Sequence, residues 1–192
     1  MKNNQLIPGE PLREGVDLIA DKKTGALIVV GSSAKLDKIS SGGINLYNCK
    51  FTPEMLCELA KMDGAIIVDE NVDTILKANV HLNPSDLIET SQTGTRHRTA
   101  QRVSVETELD VIAVSDESGI IKVFSNNEVN ELEESSMILG RVNESLQSID
   151  RTRRRFDDAL IELGELEIEN SITNQQVLEL SLIHISEPTR PN

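Results

Sequence analysis

Three short, unbroken aliphatic runs constrain this chain more than any other feature. They are Ala26-Leu27-Ile28-Val29-Val30, Ala65-Ile66-Ile67-Val68 and Val111-Ile112-Ala113-Val114. Apolar runs of about four to eight residues without alternation fit strands buried on both faces. Such strands need cover on both sides, so helices must lie above and below one sheet. The intervening segments supply them. Leu12, Val16 and Ile19 mark a helix over 12–20, and Lys22-Lys23-Thr24-Gly25 a turn after it. Thr52-Pro53-Glu54 opens a second helix, with Thr52 as N-cap and Pro53 at the first helical position. Met55, Leu56, Leu59 and Ala60 form its apolar stripe, and Asp63-Gly64 ends it. A third helix is expected over about 96–107 after a polar loop at 85–95. Thr74–Val80 reads as a further strand, and Ile120–Phe124 as the return strand of a hairpin turning at Asp116–Gly119. Gly42-Gly43 reads as a turn before a short strand at 44–47. The fold class expected is α/β, a mixed-strand central sheet flanked by helices.

From residue 128 the pattern changes. Val142, Leu146, Ile149, Phe156, Leu160 and Leu163 recur at near-heptad spacing, interrupted by Arg153. Residues 128–180 therefore read as an all-α segment of one or two helices, and residues 1–127 as the globular domain. Residues 181–192 break the helical pattern abruptly. The stretch Leu182-Ile183-His184-Ile185-Ser186-Glu187-Pro188-Thr189-Arg190-Pro191-Asn192 resembles the translated read-through of a sequencing adaptor, so a non-native tail is expected there.

Composition excludes several functions. With 19 Lys plus Arg against 32 Asp plus Glu, the net charge is −13, which argues against a surface built for a phosphate backbone. The four aromatics, Tyr47, Phe51, Phe124 and Phe156, cannot make a base-stacking platform. No apolar run approaches the ~18 residues of a bilayer span, and Met1–Pro8 lacks the apolar core of a signal peptide. Cys49 and Cys57 are too few for a disulfide framework and read as small buried hydrophobes, so a cytoplasmic setting is expected.

Three places can carry chemistry. Asp63-Gly64 sits between a helix and a buried strand; a carboxylate there can hold a hard cation, although a simple helix stop looks the same. Thr93-Gly94-Thr95-Arg96-His97-Arg98-Thr99 is a small polar loop entering a helix. Amides at a helix start attract anions, and cations in that first turn oppose the helix dipole. A bound polyphosphate explains their presence; a solvated basic face paired with Glu106 or Glu108 is the plainer alternative. Ser115 ends a strand and could be a ligand contact or a turn residue. His81 reads as a satisfied structural histidine. Neither a GxxxxGK[ST] loop nor a strand-turn-helix GxGxxG is present.

Asp63-Gly64-Ala65 together with Gly94-Thr95-Arg96-His97-Arg98, about thirty residues apart, resembles the diadenylate cyclase domain family. Leu59–Met62, Ala78–Leu82, Thr99–Arg102, Val111–Ser115 and Leu163–Asn170 extend the resemblance over roughly residues 6–180, to the DNA-integrity-scanning branch of that family. The resemblance implies a diadenylate cyclase domain followed by linker helices. It implies condensation of two ATP molecules into cyclic di-AMP with release of two pyrophosphates, with Mg²⁺ or Mn²⁺ as cofactor. Two domains would meet face to face, within a family octamer. Asp63 would hold the metal and help activate the 3′-hydroxyl, with Arg96, His97 and Arg98 as its catalytic companions. Gly64, Leu82, Thr95, Arg96, His97, Arg98, Thr99 and Ser115 would bind ATP. No membrane partner is implied, and DNA would be met only through a C-terminal domain absent from this chain. Gln92 stands where scanning-type members usually carry Glu, and Asp116-Glu117-Ser118 is acidic where they usually carry basic residues. A negative loop at that point weakens ATP binding, so a weakly active or non-catalytic nucleotide-binding assembly module is the alternative expected.

Overall fold

The computed structural model describes residues 5–125 and 127–168. Its globular part is built from helices α1 (Pro11–Asp21), α2 (Ala34–Ile39), α3 (Pro53–Leu59) and α4 (Thr95–Thr107) around seven strands. These are β1 (Ala26–Val30), β2 (Ser40–Lys50), β3 (Ala65–Val68), β4 (Thr74–Leu82), β5 (Asp110–Val114), β6 (Ile121–Ser125) and β7 (Glu128–Leu132). They form one sheet in the order β2-β4-β3-β1-β5-β6-β7. β1 and β3 run parallel, with Leu27 opposite Ala65 and Val30 opposite Val68. Every other neighbouring pair is antiparallel. The α/β class with a mixed central sheet is the one expected from the sequence.

The aliphatic runs behave as their composition demands. Every residue of β1, β3 and β5 is buried. Ala26, Ile28, Val30, Ile66, Val68, Ile112 and Val114 pack into one cluster with Leu12, Val16 and Ile19 of α1 and Leu56 of α3. Leu27, Val29, Ala65, Ile67, Val111 and Ala113 pack into the other, with Leu36 of α2 and Ala100 and Val103 of α4. Successive side chains of a strand point to opposite faces, so one run feeds two apolar layers.

Local signals set the helix starts. Thr52 Oγ1 accepts from the Met55 amide at 3.1 Å, and Pro53 follows it in the first turn of α3. Ser33 caps α2 in the same way, its Oγ accepting from the Leu36 amide at 3.1 Å. Met55 departs from the expected stripe: it is 42 % exposed, and Cys57 takes the inward position. Cys49 is half-buried rather than fully buried.

Three elements differ from the sequence reading. α2 is not expected from the sequence, because it has six residues and too little periodicity to register. Gly42 and Gly43, at φ of 65° and 85°, lie inside β2 rather than in a turn before a short strand. A Cβ on Gly43 would come within 2.7 Å of Val80 Cγ2, so close approach to β4 accounts for that glycine. Residues 128–132, expected to open the helical segment, instead form β7, paired with β6 from Ser125–Glu128 to Ile121–Leu132. Only Val129 and Leu132 are shielded there, too short an alternation to identify an edge strand.

α5 (Ser135–Ile168) is one continuous helix of 34 residues, about 50 Å long at 1.5 Å per residue. The chain divides into two compact units between Ile138 and Leu139. Val142, Leu146, Ile149, Phe156 and Leu160 of the expected stripe are exposed. The expected helical continuation beyond 168 and the expected tail at 181–192 lie outside the described residues.

Candidate functional site

One edge of the sheet gathers the residues singled out above. The N-terminal ends of β1 and β3 meet the C-terminal ends of β4 and β5 there, because β4 and β5 run antiparallel to their neighbours. The start of α4 projects over the same edge. Two cavities open on it. One, of about 300 Å³, is lined by Leu27, Asp63, Gly64, His81, Leu82 and Thr99, among others. The other, of about 510 Å³, is lined by Gly94, His97, Ser115, Asp116, Glu117 and Lys122, among others. Thr95 and Arg96 line both. Asp63-Gly64 and the loop before α4 are therefore brought to one place by the fold.

The helix start is chemically open. Gly94 is its N-cap, at φ 84° and ψ 147°, with no side-chain cap and no acidic residue in the first turn. The first amides of a helix have no intrahelical acceptor, and their dipole favours an anion. Arg96 and His97 flank that end. Arg96 Nη1 donates to Asp116 Oδ2 at 2.8 Å. The expected alternative pairing with Glu106 or Glu108 does not form: Glu106 accepts from the Ser85 amide, and Glu108 pairs with Lys35.

His97 is half-buried, with its ring edge-on to Phe124 at a centroid distance of 6.5 Å. Burial pushes its pKa below the usual histidine value, and the charges of Lys122 and Arg96 push the same way, against Asp116. The imidazole is thus neutral near pH 7. Asp116 is held below the usual carboxylate range, first by its hydrogen bond from Arg96.

Ser115 sits where β5 ends. Its backbone amide donates to the Ile120 carbonyl at 2.9 Å, and its Oγ accepts from the Ser118 amide at 3.2 Å. Its hydroxyl proton is free to be donated into the cavity. Asp63 is exposed at the mouth of the smaller cavity. Gly64 lies against β4, where a Cβ would come within 2.7 Å of the Asn79 carbonyl carbon. Arg98 is exposed and lines neither cavity.

Two side chains at the site go beyond the sequence reading. Lys122, half-buried on β6, lines the larger cavity and donates to Gln92 Oε1 at 3.1 Å. Its signal in the sequence is a single cation inside the aliphatic run Ile120–Phe124. His81 is exposed and lines the smaller cavity beside Asp63, rather than being the satisfied structural histidine expected. Alternation along β4 places it on the face opposite buried Val80.

Among the described residues, no group of three or more His, Cys, Asp and Glu could enclose a metal ion. A single exposed carboxylate suits a cation that keeps waters and shares substrate phosphates, the usual habit of Mg²⁺ and of ions like it. Asp63 fits that donor set. No helix of the described residues is long and apolar enough to cross a membrane.

Two family models match the chain. Residues 13–129 match the DAC family, described as DisA bacterial checkpoint controller nucleotide-binding, and residues 132–184 match the DisA bacterial checkpoint controller linker region. The chain is 46 % identical over 172 residues to the DNA integrity scanning protein DisA of Kineococcus radiotolerans, covering 90 % of this chain and 48 % of that protein. It is 42 % identical over 166 residues to that of Carboxydothermus hydrogenoformans, covering 86 % and 47 %. The chain thus spans about half the length of the curated relatives it matches. Among solved structures, a double mutant of DacA from Staphylococcus aureus superposes with a TM-score of 0.52 at 27 % identity, covering 68 % of this chain and 89 % of that one. A hypothetical membrane spanning protein from Bacillus cereus gives 0.55 at 25 %, covering 64 % and 61 %. With one family model matching residues 13–129 and a companion linker model following it, the chain belongs to the DAC family, DisA bacterial checkpoint controller nucleotide-binding.

Proposed function

We propose that this chain binds ATP at the start of α4 and condenses two ATP molecules into cyclic di-AMP, releasing two pyrophosphates. The observation that supports this most is the pairing of cavities: Asp63-Gly64 on one side, the open helix start and Ser115 on the other, with Arg96 and Thr95 shared. A nucleotide laid across Arg96 would put its α-phosphate toward Asp63 and its outer phosphates over the larger cavity. The amides of the first turn and the side chains of Thr95, Arg96, His97 and Thr99 would bind the phosphates. Ser115 would donate to the outer phosphates, and Arg98 would add charge at the rim. Leu82 would pack on the nucleoside, and Gly64 would let it approach the backbone.

In each half of the reaction a 3′-oxygen forms a bond to the α-phosphorus of the other ATP, and the bond from that phosphorus to the pyrophosphate oxygen breaks. The 3′-hydroxyl proton would pass by way of the Asp63 carboxylate to solvent. Mg²⁺ or Mn²⁺, held by Asp63 and the phosphates, would supply charge neutralisation. Everything else asked of the chain is positioning and electrostatics. One chain carries one such half-site, so turnover needs two copies face to face. The free cysteines Cys49 and Cys57 suit a reducing cytoplasm. DNA recognition would belong to the half of the relatives that this chain does not match.

The test is incubation of the purified chain with ATP and either Mg²⁺ or Mn²⁺, beside Asp63→Asn, with chromatography for cyclic di-AMP. Product from the parent and none from the variant is the expected result. ATP binding without product from either chain would replace this reading with nucleotide binding alone, which the Arg96–Asp116 pair favours as the second possibility.

A further inference from the structure

The larger cavity holds a carboxylate that is out of place in a phosphate site. Asp116 takes up Arg96 Nη1 at 2.8 Å, the same donor that a phosphate oxygen would need. The pair lies over Gly25, at φ 66°. A Cβ there would come within 2.9 Å of Arg96 Nη1 and 3.0 Å of Asp116 Cβ, so a glycine makes room for the contact. Nor is Asp116 on a loose loop. The Gly119 amide donates to the Ser115 carbonyl at 3.1 Å, and the Ser118 amide to Ser115 Oγ at 3.2 Å. The carboxylate is therefore presented by a closed turn. The other cation of this cavity, Lys122, is tied to the uncharged Gln92 side chain. Glu117 lines the cavity without pairing to Arg96.

Arg96 separates the two cavities, with Asp63 on one side and Asp116 on the other. Granting the proposed function, the leaving pyrophosphate lies on the Asp116 side. We infer that Asp116 is a built-in competitor for Arg96: it weakens the hold on the pyrophosphate half of ATP and so speeds pyrophosphate release. A ligand with phosphate only on the Asp63 side does not meet this competition. Asp116 thus discriminates by the number of phosphates, and it limits inhibition by pyrophosphate.

Calorimetric titration of inorganic pyrophosphate and of cyclic di-AMP tests this in the parent, Asp116→Asn, Glu117→Gln, Arg96→Gln and the Arg96→Gln/Asp116→Asn pair. Asp116→Asn should bind pyrophosphate about three- to five-fold more tightly, the scale of one exposed ion pair. Glu117→Gln should gain clearly less, cyclic di-AMP should change little, and the gain should largely vanish when Arg96 is already Gln. Equal gains from Asp116→Asn and Glu117→Gln would overturn the inference, since net charge alone would then explain them. So would a gain that persists without Arg96, or pyrophosphate that binds neither parent nor Asp116→Asn at millimolar concentration. ATP turnover is read separately. Pyrophosphate coupling without cyclic di-AMP synthesis would leave the competitor role standing and remove the cyclase reading.

Discussion

Gly64→Ala is the substitution with the most sharply defined consequence. Gly64 carries no positive φ, so the cost is steric rather than conformational. The added methyl would lie 2.7 Å from the Asn79 carbonyl carbon, 2.8 Å from its Cα and 2.8 Å from its Oδ1. Two of these three are backbone, so swinging the Asn79 side chain away does not relieve the clash. Reaching ordinary contact at 3.4 Å requires the head of β3 to move about 0.7 Å from β4. The register there is already irregular between Ala65 and Ile67, and Asn79 itself sits at φ 54°. Overpacking of this kind costs about 1–3 kcal/mol, of which a Gly→Ala change recovers about 0.4–1 through the unfolded chain. The net, about 1–2 kcal/mol, lowers Tm by about 3–10 °C in a domain of this size. Because Asp63 and Gly64 line one cavity, ATP affinity should fall as well. Differential scanning calorimetry and ATP titration are the assays. Gly140→Ala is the control: its Cβ meets nothing within 4 Å in α5, and it should stabilise that helix by up to about 1 kcal/mol. A Gly64→Ala chain that melts within a degree of the parent and binds ATP equally would refute the close approach.

Arg13 is 2 % exposed, pairs with Asp17 at 2.9 Å and donates to the carbonyls of Leu6 and Glu133. Arg13→Ala removes the donor from those carbonyls and from Asp17, which is partly exposed and keeps the Ser135 hydroxyl, so urea denaturation should show a loss of about 1.5–3 kcal/mol, and a loss below about 1 would refute its structural role. His97 gives a pH dependence. Its folded pKa is depressed, so as pH falls from above ~6.5 the unfolded chain takes the proton first and stability declines toward the folded value. His97→Asn should flatten that part of the stability profile in denaturant melts. A bound triphosphate acts the other way by favouring the imidazolium. ATP binding should therefore take up protons near neutral pH, seen as a dependence of the binding heat on the buffer's ionisation enthalpy.

The sequence by itself determined the layers. Unbroken aliphatic runs of four or five residues bounded by turn signals fit strands with two covered faces, Thr52-Pro53 places a helix start through a local hydrogen bond, and the polar loop before α4 marks another without a side-chain cap. The two motifs, Asp63-Gly64 and Gly94–Thr99, were legible as well, because each is a local pattern. What only the tertiary structure decided is non-local. The antiparallel pairing of β4 and β5 with β3 and β1 puts four strand ends at one edge, which no single segment encodes. That pairing moves His81 from an expected structural role to a cavity wall and brings Lys122 beside His97. It also decides the partner of Arg96. Glu106 and Glu108 are closer along the chain, but α4 carries them away from its own N-terminus, while the β5–β6 turn returns Asp116 to it, 20 residues on. Chain proximity sets turns and caps; charge pairing across a sheet edge follows register, and register is a property of the whole fold.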